Sequence, residues 1–170
     1  NVLEFCVKRN IPRIIFTSSM STYGLPEILP TLESIEMKPD TFYAVHKLAS
    51  EHYFRIFSKE HGIDYTIFRL YTTYGHGQNL DNVNQGLLSI YLSYIVNKKP
   101  LIVKGSKNRT RDIIHVNDVV EAIIATAKSE GNGEVYNVGT GEEITINKIA
   151  KIMNNPPKIQ KVMDHAVRGL

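Results

Sequence analysis

The first concentrated apolar run is Arg13-Ile14-Ile15-Phe16-Thr17, which follows Ile11-Pro12 and has the length and composition of a strand buried in a parallel sheet. From Phe42 to His61 the period changes. Val45, Leu48, Ala49, Tyr53, Ile56 and Phe57 recur at helical spacing, and Gly62 supplies a C-cap signal. Tyr65-Thr66-Ile67-Phe68-Arg69-Leu70 then returns to a strand pattern. Strand, crossover helix and strand in that order predict a right-handed βαβ unit. After Tyr74-Gly75-His76-Gly77 a polar stretch from Gln78 to Gln85 precedes a helix from about Gly86 to Val96, and the domain change is placed here. Leu101-Ile102-Val103 is predicted as a strand, Gly105 to Asn108 as a turn, and Arg111 to Val116 as an extended segment. Asp118 reads as the cap of a helix to about Lys128. Glu134 to Val138 is a further strand, Gly139-Thr140-Gly141 a turn, and Thr145 caps a last helix to about Met153.

Composition narrows the class. The chain has 170 residues, 42% of them hydrophobic, enough for the core of an ordinary domain. Twenty basic against 17 acidic residues give a net charge of +3, too small and too scattered to suggest nucleic acid, while anionic small molecules remain candidate partners. The single cysteine, Cys6, excludes an intrachain disulfide and a cysteine zinc site and fits a reducing, cytoplasmic setting. No apolar run approaches the length of a membrane span, and the first residues lack a signal-peptide layout. They read as the end of a helix already under way, with no initiator methionine, and Val167-Arg168-Gly169-Leu170 stops without a cap. An internal fragment of a longer protein is therefore expected. A metal site is not: His46 and His52 lie six apart on a helix and point to different faces.

The candidate chemistry lies where the first strand and the long helix begin and end. Tyr43 and Lys47, four apart, share one helical face, so the ammonium can stabilise a phenolate, the form that accepts a proton. Ser19, at the carboxyl end of the first strand, adds a hydroxyl. Ligands on open α/β sheets bind at such strand ends, which also places the segment from Tyr71 to Gly75 nearby. This set suits hydride chemistry on a secondary alcohol: tyrosine removes the hydroxyl proton while a nicotinamide takes the hydride. The plainer reading is a packed tyrosine and a solvated lysine at a spacing common in helices.

The stretches Phe16-Thr17-Ser18-Ser19 through Tyr23-Gly24, Tyr43-Ala44-Val45-His46-Lys47, Arg69 through Gly75, Arg111 through Asp118, and Tyr136 through Gly141 occur in one order along the chain. In that order the chain resembles the extended short-chain dehydrogenase/reductase family, in its NAD-dependent nucleotide-sugar epimerase/dehydratase branch. The resemblance implies an α/β fold: the C-terminal part of a Rossmann-like doubly wound parallel sheet (residues 1–75) plus a smaller α/β substrate-binding domain (76–170), with about 112–140 packing back on the Rossmann part. It makes Tyr43 the catalytic base, Lys47 the residue that holds the nicotinamide ribose and lowers the tyrosine pKa, and Ser19 the hydroxyl on the reacting sugar oxygen. Tyr43, Lys47 and Tyr71 become candidate contacts for NAD. Ser19, Thr72, Arg111 and Arg168 become candidate contacts for the nucleotide sugar. Arg111 corresponds to an arginine on the substrate diphosphate, for which a guanidinium fork is suited; the alternative is a salt bridge to Asp112.

Two departures qualify the match. Thr72 stands where most relatives carry an asparagine that holds substrate, and no Gly-rich strand-to-helix loop able to cradle the NAD pyrophosphate occurs in the sequence. Within the branch, dehydratases and decarboxylases place an acid within two residues of the catalytic Ser/Thr. Here those positions are Met20 and Ser21, which favours an epimerase, with UDP-glucose and UDP-galactose as the preferred pair. A nucleotide-sugar dehydratase, reductase or decarboxylase, or a non-catalytic nucleotide-binding protein, are the alternatives. The family also implies a homodimer through the Phe42 to His61 helix, with Tyr53 and Phe57 as contacts unless they pack inside.

Overall fold

A computed structural model of the chain describes residues 1–81, 86–127 and 133–153. These fall into two compact units, one from the described residues of Asn1–Tyr71 and Val120–Val138, the other from Thr72–Val119 and the described residues from Gly139 onward.

In the first unit, helix α1 (Val2–Lys8) leads to strand β1 (Arg13–Ser19), a single 3-10 turn (Met20–Tyr23), helix α2 (Phe42–His61) and strand β2 (Asp64–Leu70). The βαβ order expected from the pattern is present: β1 and β2 pair in parallel from Arg13↔Asp64 to Ser19↔Leu70. Strand β6 (Glu134–Val138) joins the other edge of β2, also in parallel, from Thr66↔Glu134 to Leu70↔Val138. Helix α2 starts and stops for local reasons. Thr41 Oγ1 accepts from the Ala44 N–H, and Gly62 adopts the left-handed conformation at φ 68°, with its N–H on Ser58 O. The core of this unit joins Phe54, Tyr65 and Ile67 to Leu3, Ile14, Phe16 and Val135, with the Phe16 and Phe54 rings stacked 4.9 Å apart.

The apolar stripe that predicts α2 is not its inner face. Val45, Tyr53 and Ile56 are exposed, Phe57 is half-buried against His61, and the buried positions are Ala44, Glu51 and Phe54. A carboxylate sits on the inner side, so a hydrophobicity count favours the wrong face. Tyr53 is thus an outward residue and not an interior one.

The second unit contains β3 (Thr72–Tyr74), α3 (Leu87–Val96), β4 (Thr110–Arg111), β5 (Ile113–His115), β7 (Ile144–Thr145) and α5 (Ile146–Met153); α4 spans Val116–Ala127. β3 pairs with β5 in parallel and β4 with β7 antiparallel. Tyr91, Leu92, Ile146, Ile149 and Met153 form its core. Thr145 caps α5 as the sequence suggests, its Oγ1 accepting from the Lys148 N–H. The strand expected at Leu101-Ile102-Val103 is absent. Leu101 and Val103 do pack on the core while Ile102 is exposed, so the alternation is that of an extended segment, but no ladder partner reaches it among the described residues. The helix end expected at Lys128 and the polar residues 82–85 lie outside the described residues. No helix among those described is long and apolar enough to cross a membrane.

Candidate active site

Ser19 ends β1 and caps the 3-10 turn that follows. Its Oγ accepts from the Ser21 N–H at 3.2 Å and from Ser21 Oγ at 3.0 Å, which leaves the Ser19 O–H to donate. Ser21, one of the two positions without an acid, thereby orients Ser19. Thr22, fully buried, donates to Ser19 O at 2.9 Å and fixes the backbone of the turn.

Tyr43 lies in the first turn of α2 and is 57% exposed. Lys47 follows one turn later. Its ammonium donates to Thr17 O at 2.7 Å, two residues before Ser19, and lies 4.9 Å from the Phe16 ring centre and 5.7 Å from that of Tyr43. Burial lowers the Lys47 pKa, because the half-apolar setting disfavours the charged form. One N–H is used on Thr17, and two remain to donate elsewhere. Tyr43, Lys47 and the carboxyl end of β1 are thus gathered in the first unit. Tyr71 follows β2 there, with its N–H on Val138 O at 3.0 Å.

The second unit carries Thr72 and Arg111. Thr72 opens β3, opposite Ile113, and its N–H donates to Asp112 O at 3.1 Å. Arg111, half-buried on β4, donates from Nη1 to Thr110 O at 2.7 Å; desolvation, then repulsion from Arg109, lowers its pKa. The Asp112 carboxylate binds the turn at Thr140 and Gly141, accepting from Thr140 N–H and Oγ1 at 2.9 and 2.8 Å and from Gly141 N–H at 2.8 Å. That use of Asp112, and not an ion pair with Arg111, explains the acidic residue of the motif. Arg168 lies outside the described residues.

Sequence reasoning passed over a buried polar network behind the site. The Glu51 carboxylate, fully buried, takes Arg69 Nη2 at 2.8 Å, Arg69 Nε at 3.1 Å and Ser18 Oγ at 2.6 Å. Arg69 Nη1 donates to Tyr23 Oη at 2.8 Å, and Tyr23 O–H donates to Asn137 Oδ1 at 2.7 Å. Burial alone would raise the Glu51 carboxyl, but the Arg69 and Ser18 hydrogen bonds outweigh it and hold the pKa below the usual range. Burial likewise opposes the Arg69 charge, and its bonds to Glu51 and Tyr23 prevail and raise it. A signal was present: Arg69 interrupts an otherwise apolar central strand, and Glu51 continues the Tyr43, Lys47 spacing by one more turn.

Residues 1–139 match the NAD dependent epimerase/dehydratase family. The chain belongs to that family. Among epimerase/dehydratase relatives, it is 31% identical over 156 residues to a putative UDP-glucose 4-epimerase of Methanocaldococcus jannaschii, covering 91% of this chain and 50% of that protein. It is 35% identical to a dTDP-4-dehydro-6-deoxyglucose reductase of Escherichia coli, covering 81% of this chain and 43% of the relative. Its fold superimposes on the UDP-glucose 4-epimerase of Thermotoga maritima, solved with UDP-glucose, with a TM-score of 0.84 and 28% identity over 96% of this chain and 51% of that one. The chain spans about half the length of these relatives. The α/β, Rossmann-like character expected from the resemblance is borne out by this agreement. NAD is the cofactor of the family, and the residues present suit its nicotinamide-ribose end: an exposed phenol beside an ammonium with N–H groups to spare.

Proposed function

We propose that this chain supplies the catalytic half of a nucleotide-sugar 4-epimerase that interconverts UDP-glucose and UDP-galactose. The carrying observation is the arrangement around Lys47: its ammonium is anchored on Thr17 O beside the Ser19 strand end while Tyr43 stands exposed one helical turn away.

In this reading Ser19 donates its O–H to the sugar C4 oxygen and Tyr43 Oη takes the C4 hydroxyl proton, while Lys47 stabilises the charge that the phenol carries. Bound NAD supplies a reversible hydride acceptor for C4. A 4-keto sugar that turned over before re-reduction would take its proton back from Tyr43, so the cycle would leave no net redox change. Thr72 and Arg111 hold the substrate, Arg111 through the diphosphate; Arg168 is a further candidate there. Tyr71, with Tyr43 and Lys47, contacts the cofactor. The first unit accordingly carries the cofactor contacts and the groups that act at C4, and the second carries Thr72 and Arg111 as further substrate contacts. The exposed face of α2, with Val45, Tyr53 and Ile56, is the candidate surface for a homodimer.

A reductase is the second reading, favoured by the Escherichia coli relative at 35% identity. It too requires no acid at Met20 or Ser21. The product of the full open reading frame, given UDP-galactose and catalytic NAD, is expected to form UDP-glucose, and Tyr43→Phe to lose that turnover. Stoichiometric consumption of NADH or NADPH with a 4-keto sugar, without epimerisation, would move the assignment to the reductase.

A further inference from the structure

We propose that Glu51 is the positioning residue of this site, holding the Ser19 strand end and the Tyr43/Lys47 face of α2 in one fixed register through Arg69. The inference rests on the catalytic roles given above and concerns residues that touch no substrate.

The geometry is specific. Lys47 and Glu51 lie one helical turn apart on the inner side of α2, and they bind consecutive residues of β1: Lys47 takes the Thr17 carbonyl and Glu51 the Ser18 hydroxyl. Two successive turns are therefore pinned to two successive strand positions, a register that allows neither sliding nor rotation of the helix against the strand. Ser19 is the next residue. Its other flank is held by the same network, since Tyr23, at the end of the 3-10 turn that Ser19 caps, is fixed between Arg69 and Asn137. Arg69 closes the loop with a bidentate grip on Glu51, and its planar fork fixes direction as well as distance. It also reaches the segment that leads into α2, donating to Glu33 O at 3.1 Å, while the Asn137 N–H donates to Glu33 Oε1 at 2.8 Å. Strands β1 and β2, the turn and helix α2 thus meet at one carboxylate–guanidinium pair, buried to 0% and 1% exposure, and β6 joins one step away through Asn137 on Tyr23.

An apolar pair would have filled the same volume without desolvating two charges. Directional bonds add what packing cannot, the angular placement of a proton donor relative to a proton acceptor, and displacements of about 1 Å at such groups cost on the order of a hundredfold in rate.

The test uses Ser18→Ala and Tyr23→Phe in the product of the full open reading frame. Each removes one hydroxyl link and leaves the Glu51–Arg69 pair in place. In each, kcat is expected to fall by about tenfold to a hundredfold with KM for the nucleotide sugar little changed; loss of a buried hydrogen bond lowers the unfolding midpoint, so kcat is referred to the folded fraction at the assay temperature. The Tyr43 ring, labelled with 13C at Cζ, is expected to shift in Ser18→Ala relative to wild type. A kcat within twofold of wild type in both variants, a rate loss matched by loss of folded protein, or an unmoved Cζ signal would overturn the proposal. A wild type without turnover on any nucleotide sugar would sink the catalytic reading instead, and the Cζ signal then decides the positioning by itself.

Discussion

Replacing Glu51 and Arg69 singly and together separates a buried charge from the contacts it makes. Glu51→Leu leaves the Arg69 guanidinium at 1% exposure with Tyr23 Oη and Glu33 O as its remaining oxygen acceptors, and no carboxylate among them. Arg69→Met leaves the Glu51 carboxylate at 0% exposure, with Ser18 at 2.6 Å and Arg55 at 3.4 Å as its remaining partners. Stranding one member of a buried pair costs roughly 3–5 kcal/mol, with Arg69→Met toward the lower end because Arg55 still faces the carboxylate, so the two single changes sum to roughly 6–8 kcal/mol. The double variant strands neither charge. Tyr23 keeps Asn137 as its acceptor, and the Ser18 hydroxyl is the main group left without one, at about 1–3 kcal/mol. The double variant should therefore be more stable than either single variant, with a coupling of at least about 3 kcal/mol. Urea unfolding followed by circular dichroism measures all four corners of the cycle. Costs that simply add would refute the reasoning, since they would mean that each side chain finds compensation without the other.

Acid should act on the same pair. The Glu51 carboxyl is held below its unfolded value, so its contribution to stability is full above about pH 4.3 and is lost as pH falls through the lower folded value. The unfolding midpoint measured from pH 7 to pH 2 should fall over that window, and less steeply in Glu51→Gln. Gly24 adopts φ 67° after the 3-10 turn, and a Cβ there would lie 2.0 Å from Lys38 O. Gly24→Ala should destabilise by at least about 2 kcal/mol, the backbone strain and the displaced carbonyl acting together, as thermal unfolding will show. The 170-residue chain by itself should give no NAD binding isotherm, because its sequence carries no Gly-rich loop for the pyrophosphate; calorimetric titration giving micromolar affinity would contradict this.

Much of the fold was legible because local signals agreed with one another. The α2 boundaries carry their own chemistry at Thr41 and Gly62, and the β2 run from Tyr65 to Leu70 is apolar enough to be central. Failures occurred where a partner distant in sequence decides. Residues 101–103 have the composition of a strand, but strand formation needs a ladder partner, and β7 pairs with β4 instead. Which face of α2 turns inward depends on Arg69, eighteen residues on from Glu51, since a carboxylate enters a core only when its counter-charge is waiting. The pairing of Tyr43 with Lys47 was readable because a helix fixes it locally, and the anchoring of Lys47 on Thr17 was not, because it spans thirty residues of chain.

The place of β6 in the sheet has a kinetic meaning. β2 receives β1 on one edge from the segment just before it, while its other edge waits for a strand that the chain reaches only after building β3, α3, β4, β5 and α4. At ~5–20 residues per second, the roughly sixty residues between Leu70 and Glu134 take about 3–13 s to synthesise. Throughout that interval Thr66, Ile67 and Phe68 present an unpaired parallel edge to the cell. A nascent chain of this topology is therefore open to wrong pairing along that edge until β6 is made, and a chaperone that covers the edge for those few seconds would protect its yield.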